Sequence, residues 1–371
     1  MTIDGKTLGL ALSGGGFRAT LFGLGSLWRL NDAGLLGRLD RITGVSGGSI
    51  LLGVLAHRWR ELDFAEGCAR NFSSQMVAPV QTFCAQTIDV GAGIAGWLNP
   101  FKSAGDYLIA RYRDDLFGAT TLKDLPTPQD GAPLFTFYAT SLQTGSNVRL
   151  NQRRVADYKI GENTTLAVPL ATAVAASSAF PPIFSPIELE TDPEEWTGGN
   201  LPNKDKLREK LVLADGGIYD NMGLEQLAGN SSDKVDIILA SDAGAPFGVD
   251  EDPNQDPISQ LGRVRDILIE QTRALRKRWL VENFIQGERQ GAYWGVTTDI
   301  GDYGLPDTLA RDTHITASLQ TVKTRLSGFE PELQGQLINW GYALCDAALR
   351  KRSGLGVPVA TGLPLPQWPL G

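Results

Sequence analysis

The chain has 371 residues, of which 42% are hydrophobic and 20% are charged, a composition typical of a packed protein and not of a disordered one. Its 34 basic and 42 acidic residues give a formal net charge of −8, which argues against nucleic-acid binding because that requires a basic surface. The 3 cysteines and 2 histidines are too few and too scattered for a disulfide framework or a zinc site, so we expect no metal and no cofactor.

Hydrophobic periodicity and glycine turns predict strands that alternate with helices. Strands are predicted at residues 7–12, 41–45, 134–139, 210–214 and 235–241, and helices at 17–35, 47–59, 164–178, 258–284 and 333–349. Repeated βα units are typical of an α/β fold with a mostly parallel central sheet and helices on both faces. Ligands of such sheets bind at the carboxyl ends of the strands, where the candidate residues described below lie.

The domain organisation follows from composition shifts along the chain. We expect one domain over residues 1–352, with a motif-bearing part at about 7–245 and a helical part at about 246–352. The polar stretch 187–209 is expected to be a surface insertion, and the uncharged, proline-rich tail 353–371 to lie extended on the domain or on a partner. The sequence does not indicate an oligomeric state.

No export signal or membrane-spanning segment is recognisable in the sequence. The apolar run 8–12 is too short, and the nearly uncharged segment 71–101 is interrupted by polar residues and a proline. We therefore expect a cytoplasmic protein that contacts membranes only from the surface.

Segment 71–101 is either a flap over the active site, able to touch a bilayer, or a helical layer packed on the sheet. The basic cluster at 263–278 either attracts anionic head groups or another acidic partner, or is a solvated helix face.

The stretch Gly44-Val45-Ser46-Gly47-Gly48 matches G-x-S-x-G between a predicted strand and a predicted helix. A serine in this position lies on a tight turn with its hydroxyl accessible, and Gly44 and Gly48 remove side chains that would clash there. The N-terminus of the following helix favours a developing alkoxide. Ser46 is therefore a candidate nucleophile, and the alternative is an ordinary turn that caps a helix.

A glycine-rich loop, Gly14-Gly15-Gly16, follows the first predicted strand and opens a helix. Consecutive glycines let backbone N–H groups converge on one point beside a helix N-terminus, which predicts an oxyanion hole; the alternative is a plain glycine turn. Arg18 either holds this loop in shape or meets an anionic head group. The loop lacks the GK[ST] of a P-loop, and Ala19 occupies the third glycine position of a dinucleotide-binding fingerprint.

A serine nucleophile needs a base, and neither histidine fits that role. His57 lies roughly 16 Å further along the helix that follows Ser46, at 1.5 Å per residue, and His314 lies in a late polar segment. Asp215 ends a predicted strand and is followed by Gly216 and Gly217. A carboxylate can accept the serine proton directly if partial burial raises its pKa, although a β-turn aspartate remains the alternative.

Taken in order, these motifs resemble the patatin-like phospholipase family over about residues 7–245. That family has a G-G-G-x-R loop, here Gly14 to Arg18, a G-x-S-x-G nucleophile, here Ser46, and an aspartate in D-G-[GA], here Asp215. Further similar stretches lie at 139–145, 176–181 and 215–221, and one departure is Ser13, where many members have aspartate. The resemblance implies a three-layer architecture and a Ser–Asp dyad that works without histidine or metal.

The resemblance also implies a function. It points to a lipid acyl hydrolase of the phospholipase A type, in which Ser46 forms an acyl-enzyme from a phospholipid or another acyl ester. A general carboxylesterase or thioesterase is the alternative within the same chemistry. A ligand-gated signalling or effector protein with a patatin-like site is the alternative from another class.

Overall fold

The computed structural model of the chain describes residues 5–88, 103–229 and 234–371. Its strands are β1 (Leu8–Leu12), β2 (Arg41–Gly44), β3 (Phe64–Ala65), β4 (Cys68–Ala69), β5 (Leu134–Ser141), β6 (Asn147–Asn151), β7 (Val155–Asp157), β8 (Gly161–Asn163), β9 (Ile187–Glu190), β10 (Trp196–Thr197), β11 (Lys210–Asp215), β12 (Ile237–Asp242) and β13 (Gln290–Gly295). Its α-helices are α1 (Gly16–Asp32), α2 (Gly47–Arg58), α3 (Ala78–Cys84), α4 (Ala104–Tyr112), α5 (Leu170–Ser178), α6 (Asp205–Glu209), α7 (Gly217–Asp220), α8 (Glu225–Ala228), α9 (Pro257–Ile285), α10 (His314–Gln320) and α11 (Pro331–Ala348).

The central sheet is mixed, and its middle is parallel. Five adjacent strands, in the order β5-β2-β1-β12-β13, pair in parallel, and β6, β7, β8 and β10 extend the sheet beyond β5 as an antiparallel wing. The parallel strands are almost wholly buried, as expected where helices cover both faces. The predicted α/β class with a mostly parallel central sheet is confirmed.

Strand β5 brings together the ends of two strands that are far apart in sequence. One edge of β5 pairs with β6. The opposite edge pairs first with β2, where Phe137 faces Gly44, and then with the antiparallel β11, where Ala139 faces Asp215. Strands β2 and β11 therefore run towards each other along one edge of β5, and their carboxyl ends meet.

The C-terminal helix α11 packs against α1 through glycines. A Cβ atom at Gly25 would overlap the carbonyl of Ile338, and one at Gly341 would overlap the carbonyl of Phe22, so neither position accepts a side chain. A buried ion pair of 2.8 Å between Arg29 and Asp346 joins the same two helices, with both side chains 1% exposed. The helical C-terminal part is thereby packed on the first βα unit.

The tail at 353–371 lies on α11. The Asn339 amide donates to the carbonyls of Leu365 and Trp368, both at 2.8 Å, and accepts from the N–H of Leu365 at 3.1 Å. The Trp368 indole lies so close over Gly335 that any side chain at Gly335 would overlap it. The tail was expected to lie on the domain or on a partner protein, and the structure shows that it contacts the domain.

The structure adds detail to the expectation for segment 71–101 and differs from the expectation for segment 187–209. Within 71–88, the side chains of Met76, Phe83 and Ile88 are at most 2% exposed, so these residues form a packed layer; the rest of the 71–101 segment, including Trp97, lies outside the described residues. The stretch 187–209 is not simply a surface insertion, because β9 pairs with β11. Its Ile-Glu-Leu-Glu alternation has the two-residue period of a strand with one buried face.

Across the described ranges, the helices lack the length and apolar character needed to cross a bilayer.

Candidate active site

Ser46 lies on the turn between β2 and α2 with a φ of 51°. This positive φ is unfavourable for a residue with a side chain and is typical of a serine held on a strand-to-helix elbow. The next two glycines let the turn press against the first βα unit, because a Cβ at Gly47 would overlap the carbonyl of Gly16 and one at Gly48 would overlap the carbonyl of Leu12. Tertiary packing therefore holds the strained turn in place.

Asp215 ends β11 and is 2% exposed. Its carboxylate accepts the N–H of Gly217 at 2.7 Å, and it lies close enough to the Ser46 side chain for that side chain to lower its pKa. Burial raises the pKa of Asp215 from 3.8 to about 6, while the Gly217 amide and the Ser46 side chain act in the opposite direction. A carboxylate with this pKa is a better proton acceptor near neutral pH than an ordinary one.

Ser177, near the end of α5, joins the two turns. Its carbonyl accepts the N–H of Ser46 and the N–H of Gly216, each at 3.1 Å, and its hydroxyl also accepts the N–H of Ser46 at 3.1 Å. The same hydroxyl lies 2.7 Å from that of Ser49. Sequence analysis noted residues 176–181 only as a stretch similar to the family. The available signal was a pair of serines at the end of an alanine-rich helix.

The three glycines of the β1–α1 loop differ in whether their backbone N–H groups already have a hydrogen-bond acceptor. The N–H of Gly14 donates to the carbonyl of Asn221 at 3.0 Å and is therefore not available to a ligand. Gly14 also leaves room for Ser46, because a Cβ at Gly14 would lie 3.1 Å from the Cβ of Ser46. The amides of Gly15 and Gly16 have no acceptor within the part of the chain that the structure describes. Of the three amides considered for an oxyanion hole, those of Gly15 and Gly16 are therefore the two available to donate to a ligand.

Arg18 is fully buried and serves the loop. Its guanidinium donates to the carbonyl of Ala243 at 2.9 and 2.6 Å, to the hydroxyl of Thr324 at 3.0 Å and to the carbonyl of Val322. Burial lowers the pKa of Arg18 to about 10, which still leaves it protonated at neutral pH. Of the two roles considered from the sequence, these contacts favour holding the loop in shape over meeting a head group.

The C-terminal part of the chain also reaches the loop. The N–H of Phe17 donates to the carbonyl of Arg325 at 3.1 Å, and a Cβ at Gly16 would lie 2.5 Å from that carbonyl oxygen. Residues 324–326 line the same cavity as Ser46. Nothing in the local pattern around Arg325 indicates this contact, and sequence analysis missed it.

A cavity of about 480 Å³ contains the predicted site residues Gly14, Gly15, Gly16, Ser46, Asp215 and Gly217. Apolar side chains of Phe180, Ile183, Phe184 and Leu326 form part of its wall. Residues of α9, among them Arg263, Arg265, Ile269 and Arg273, form another part. Gly44, Gly48 and Gly216 lie outside the lining and support the turns behind it; at Gly216 a Cβ would overlap the carbonyl of Tyr138.

The two histidines lie apart from this cavity. The Nδ1 atom of His57 is 3.2 Å from the hydroxyl of Thr120, its ring packs edge-on against Phe117, and burial lowers its pKa. His314 is exposed at the start of α10. Among the described residues, no group of three or more His, Cys, Asp or Glu side chains could hold a metal ion.

The chain is similar in part to several known proteins. A stretch of 49 residues, 13% of this chain and 8% of the relative, is 47% identical to "Putative meiotic phospholipase SPO1" of Saccharomyces cerevisiae. Human GIVD cytosolic phospholipase A2 matches in structure over 64% of this chain and 45% of its own, with 13% identity and a TM-score of 0.41. VipD from Legionella pneumophila matches over 94% and 67%, with 15% identity and a TM-score of 0.38.

The matched regions thus span under half the length of the yeast relative and of the human structure. The family model described as Patatin-like phospholipase matches residues 10–228, which is more than half of the chain. On the strength of that match, the chain belongs to the patatin-like phospholipase family.

Proposed function

We propose that the protein is a lipid acyl hydrolase of the phospholipase A type, with Ser46 as nucleophile and Asp215 as base. One observation carries the proposal: a buried carboxylate whose pKa is raised to about 6 lies in one cavity with, and is influenced by, a serine held on a strained elbow. The family membership supports a lipid ester as the substrate.

The reaction proceeds in two halves. Asp215 accepts the proton of Ser46 Oγ as that oxygen attacks the ester carbonyl, and the N–H groups of Gly15 and Gly16 donate to the developing oxyanion at the N-terminus of α1. Asp215 then returns the proton to the departing alcohol oxygen, which leaves an acyl-enzyme. Water attacks this ester and gives its proton to Asp215. Collapse releases the fatty acid, and the proton passes back to Ser46 Oγ.

Burial of Asp215 explains how a carboxylate performs a task usually given to histidine. An ordinary aspartate with a pKa of 3.8 accepts a proton weakly at neutral pH, whereas burial raises this one to about 6, near the ordinary value for histidine. The Gly217 amide and Ser177 hold the two turns, so little rearrangement is needed at the moment of proton transfer.

The cavity supports an acyl substrate. Its volume of about 480 Å³ lies within the range of pockets that take small organic ligands. Phe180, Phe184 and Leu326 offer apolar contacts for an acyl chain, and arginines of α9 line the same cavity, with Arg265 5.1 Å over the Phe180 ring. This combination of apolar and cationic side chains favours a phospholipid over a small uncharged ester.

The experiment measures fatty acid release from phospholipid vesicles and from a short-chain soluble ester. Ser46→Ala and Asp215→Asn should lose several orders of magnitude on both substrates, because each removes a group that acts in the chemical step. His57→Gln and His314→Ala are the controls and should keep most activity. A fluorophosphonate probe should label Ser46.

Four results would contradict the proposal. Labelling of another serine would displace Ser46, and near-complete inactivation by His57→Gln or His314→Ala would indicate a Ser–His–Asp triad. Turnover of the soluble ester without any turnover of vesicles would indicate a general carboxylesterase. Activity that appears only after a cell extract is added would favour a ligand-gated effector.

A further inference from the structure

Helix α9 turns one face towards the cavity of the candidate active site. Four of its charged residues line that cavity and are spaced three or four residues apart, so they lie along one side of the helix: Arg263, Asp266, Glu270 and Arg273. Two further arginines line the same cavity, Arg265 of α9 and Arg325. An arginine in this wall can bind an anionic ligand only where the protein does not already neutralise it.

Two of these arginines are neutralised within the protein. Arg273 pairs with two carboxylates at 2.9 Å, one of which is Glu270 of the cavity wall. Arg265 pairs with the adjacent Asp266 at 2.8 Å and donates to the carbonyl of Pro181 at 3.2 Å. Both guanidinium groups hold α9 against its surroundings, and their charges are compensated.

Arg263 differs from these two because its guanidinium is free. Within the described ranges it has neither a carboxylate partner nor a hydrogen-bond acceptor. Its Cζ atom lies 4.1 Å from the centroid of the Phe247 ring, and Phe247 lines the same cavity. Stacking on a ring face restrains a long side chain and leaves the N–H groups at the edge of the guanidinium able to donate. Arg263 is therefore a positioned cation whose donors are available to a ligand.

Arg325 adds positive charge on the side of the glycine loop. Its carbonyl accepts the N–H of Phe17, which fixes its backbone beside that loop. Its side chain is exposed and, in the part of the chain that the structure describes, has no carboxylate partner. No ring or carbonyl holds its guanidinium there, so Arg263 is the better positioned of the two free cations.

A phosphodiester is the anion that suits Arg263 in this cavity. A guanidinium presents its N–H groups as a planar fork that matches two oxygen atoms of a phosphate group. In a glycerophospholipid the phosphodiester and the acyl esters are attached to the same glycerol unit. One substrate molecule can therefore present an ester to Ser46 and a phosphate to Arg263, since both residues line the same cavity of about 480 Å³.

We propose that Arg263 binds the phosphodiester of the substrate while Ser46 attacks the neighbouring acyl ester. Arg263 thereby makes the protein prefer anionic acyl esters over uncharged ones. The inference rests on the proposed function and adds the residue that selects among acyl esters. It assigns contact with the head group to one member of the basic cluster at 263–278, whereas Arg265 and Arg273 are neutralised by the protein itself.

The test compares two soluble esters, dibutyryl phosphatidylglycerol and dibutyrylglycerol, in phosphate-free buffer. They share their acyl groups and differ by a phosphodiester head group, and the measured quantity is the ratio of their kcat/KM values. Arg263→Met removes the charge but keeps an unbranched side chain for the Phe247 ring. It should lower the ratio about tenfold, because hydrogen bonds to a charged group contribute on that order. Most of this change should appear in KM for the charged ester.

Two variants and one binding measurement complete the experiment. Arg278→Met is the matched control and should leave the ratio unchanged, because Arg278 is an exposed cation of α9 outside the cavity lining. Arg263→Lys keeps the charge without the fork and should recover part of the ratio. By calorimetry, dibutyryl phosphatidylglycerol should bind Ser46→Ala/Arg263→Met about tenfold more weakly than it binds Ser46→Ala.

Several outcomes would overturn the proposal. An equal loss on both esters with a lower melting temperature would make Arg263 a structural residue. An unchanged ratio would contradict the contact, and an equal fall in Arg278→Met would indicate the general charge of the helix. If inorganic phosphate alters dibutyrylglycerol turnover through Arg263 while the ratio does not depend on Arg263, the ligand is a free anion and the proposal is wrong.

Failure of the proposed function is distinguishable from failure of this inference. Absence of turnover of both esters by the wild-type protein would refute the proposed function, and the calorimetric comparison in the Ser46→Ala background would still decide whether Arg263 binds the phosphodiester. Turnover of both esters without a preference for the charged one would refute the role of Arg263 alone.

Discussion

Replacing Asp215 by asparagine is expected to stabilise the protein while it removes activity. Burial raises the pKa of this carboxyl from 3.8 to about 6, so its ionised form is disfavoured in the folded state by about 2 pKa units, or roughly 3 kcal/mol at 1.36 kcal/mol per unit. Asparagine has nearly the same shape, carries no charge and can still accept the N–H of Gly217. At pH 8 the free energy of unfolding should therefore rise by up to about 3 kcal/mol.

The sign of the pH dependence follows from the direction of the shift. Between pH 3.8 and about 6, the folded protein holds a proton on Asp215 that the unfolded chain has released, so wild-type stability rises as the pH falls through this range. Above pH 6 both states are ionised and the advantage of Asp215→Asn is complete. Below the unfolded pKa both states are protonated, and the difference vanishes.

Chemical denaturation of both proteins from pH 4 to pH 8 measures this difference directly. In parallel, kcat/KM on a soluble ester should fall about tenfold per pH unit below an apparent pKa near 6, because the protonated carboxyl cannot act as a base. A stability difference that does not change with pH would refute the reasoning. So would an acid limb of activity near pH 4, the position expected for a solvated aspartate.

Three further substitutions test the surroundings of the site. Ser177→Ala removes a buried hydroxyl from the N–H of Ser46 and from the hydroxyl of Ser49 but keeps the carbonyl, so kcat should fall about tenfold and the free energy of unfolding by about 1–3 kcal/mol. Gly16→Ala places a Cβ 2.5 Å from the Arg325 carbonyl oxygen at a residue whose φ is 58°. The displaced loop should lower kcat/KM by about 10²-fold, and unchanged kinetics would count against a role of this loop in the reaction. Asn339→Ala should lower the free energy of unfolding by about 1–3 kcal/mol and open the tail to proteolysis, with soluble-ester activity retained.

Local sequence was sufficient for the elements that carry the candidate site. The helix predicted at 47–59 is Gly47–Arg58, and the strand predicted at 210–214 is Lys210–Asp215. Both turns depend on glycines beside the reactive residue, and the steric demands of a tight turn act between near neighbours, so they leave a local signature. The two turns could therefore be located before their distance in space was known.

What the sequence did not indicate depends on contacts between distant segments. No periodicity states that β11 runs antiparallel to β5, because side-chain alternation is the same in either direction. The double acceptor role of Ser177 and the contact of Arg325 with the glycine loop are backbone interactions, which depend little on residue type. The antiparallel wing was missed because its strands are short and contain asparagine and glycine, which are uncommon in strands.

Strands β2 and β11 pair with the same edge of β5, and this arrangement governs when the turns of Ser46 and Asp215 can meet during folding. Helices α1 and α2 are local structures, whereas joining β2, β5 and β11 closes long loops at an entropic cost. The Ser46 and Asp215 turns thus come together only when the middle of the sheet is complete. A partly folded chain therefore lacks the proposed pair of Ser46 and Asp215, and under the proposed function hydrolysis would require the completed sheet.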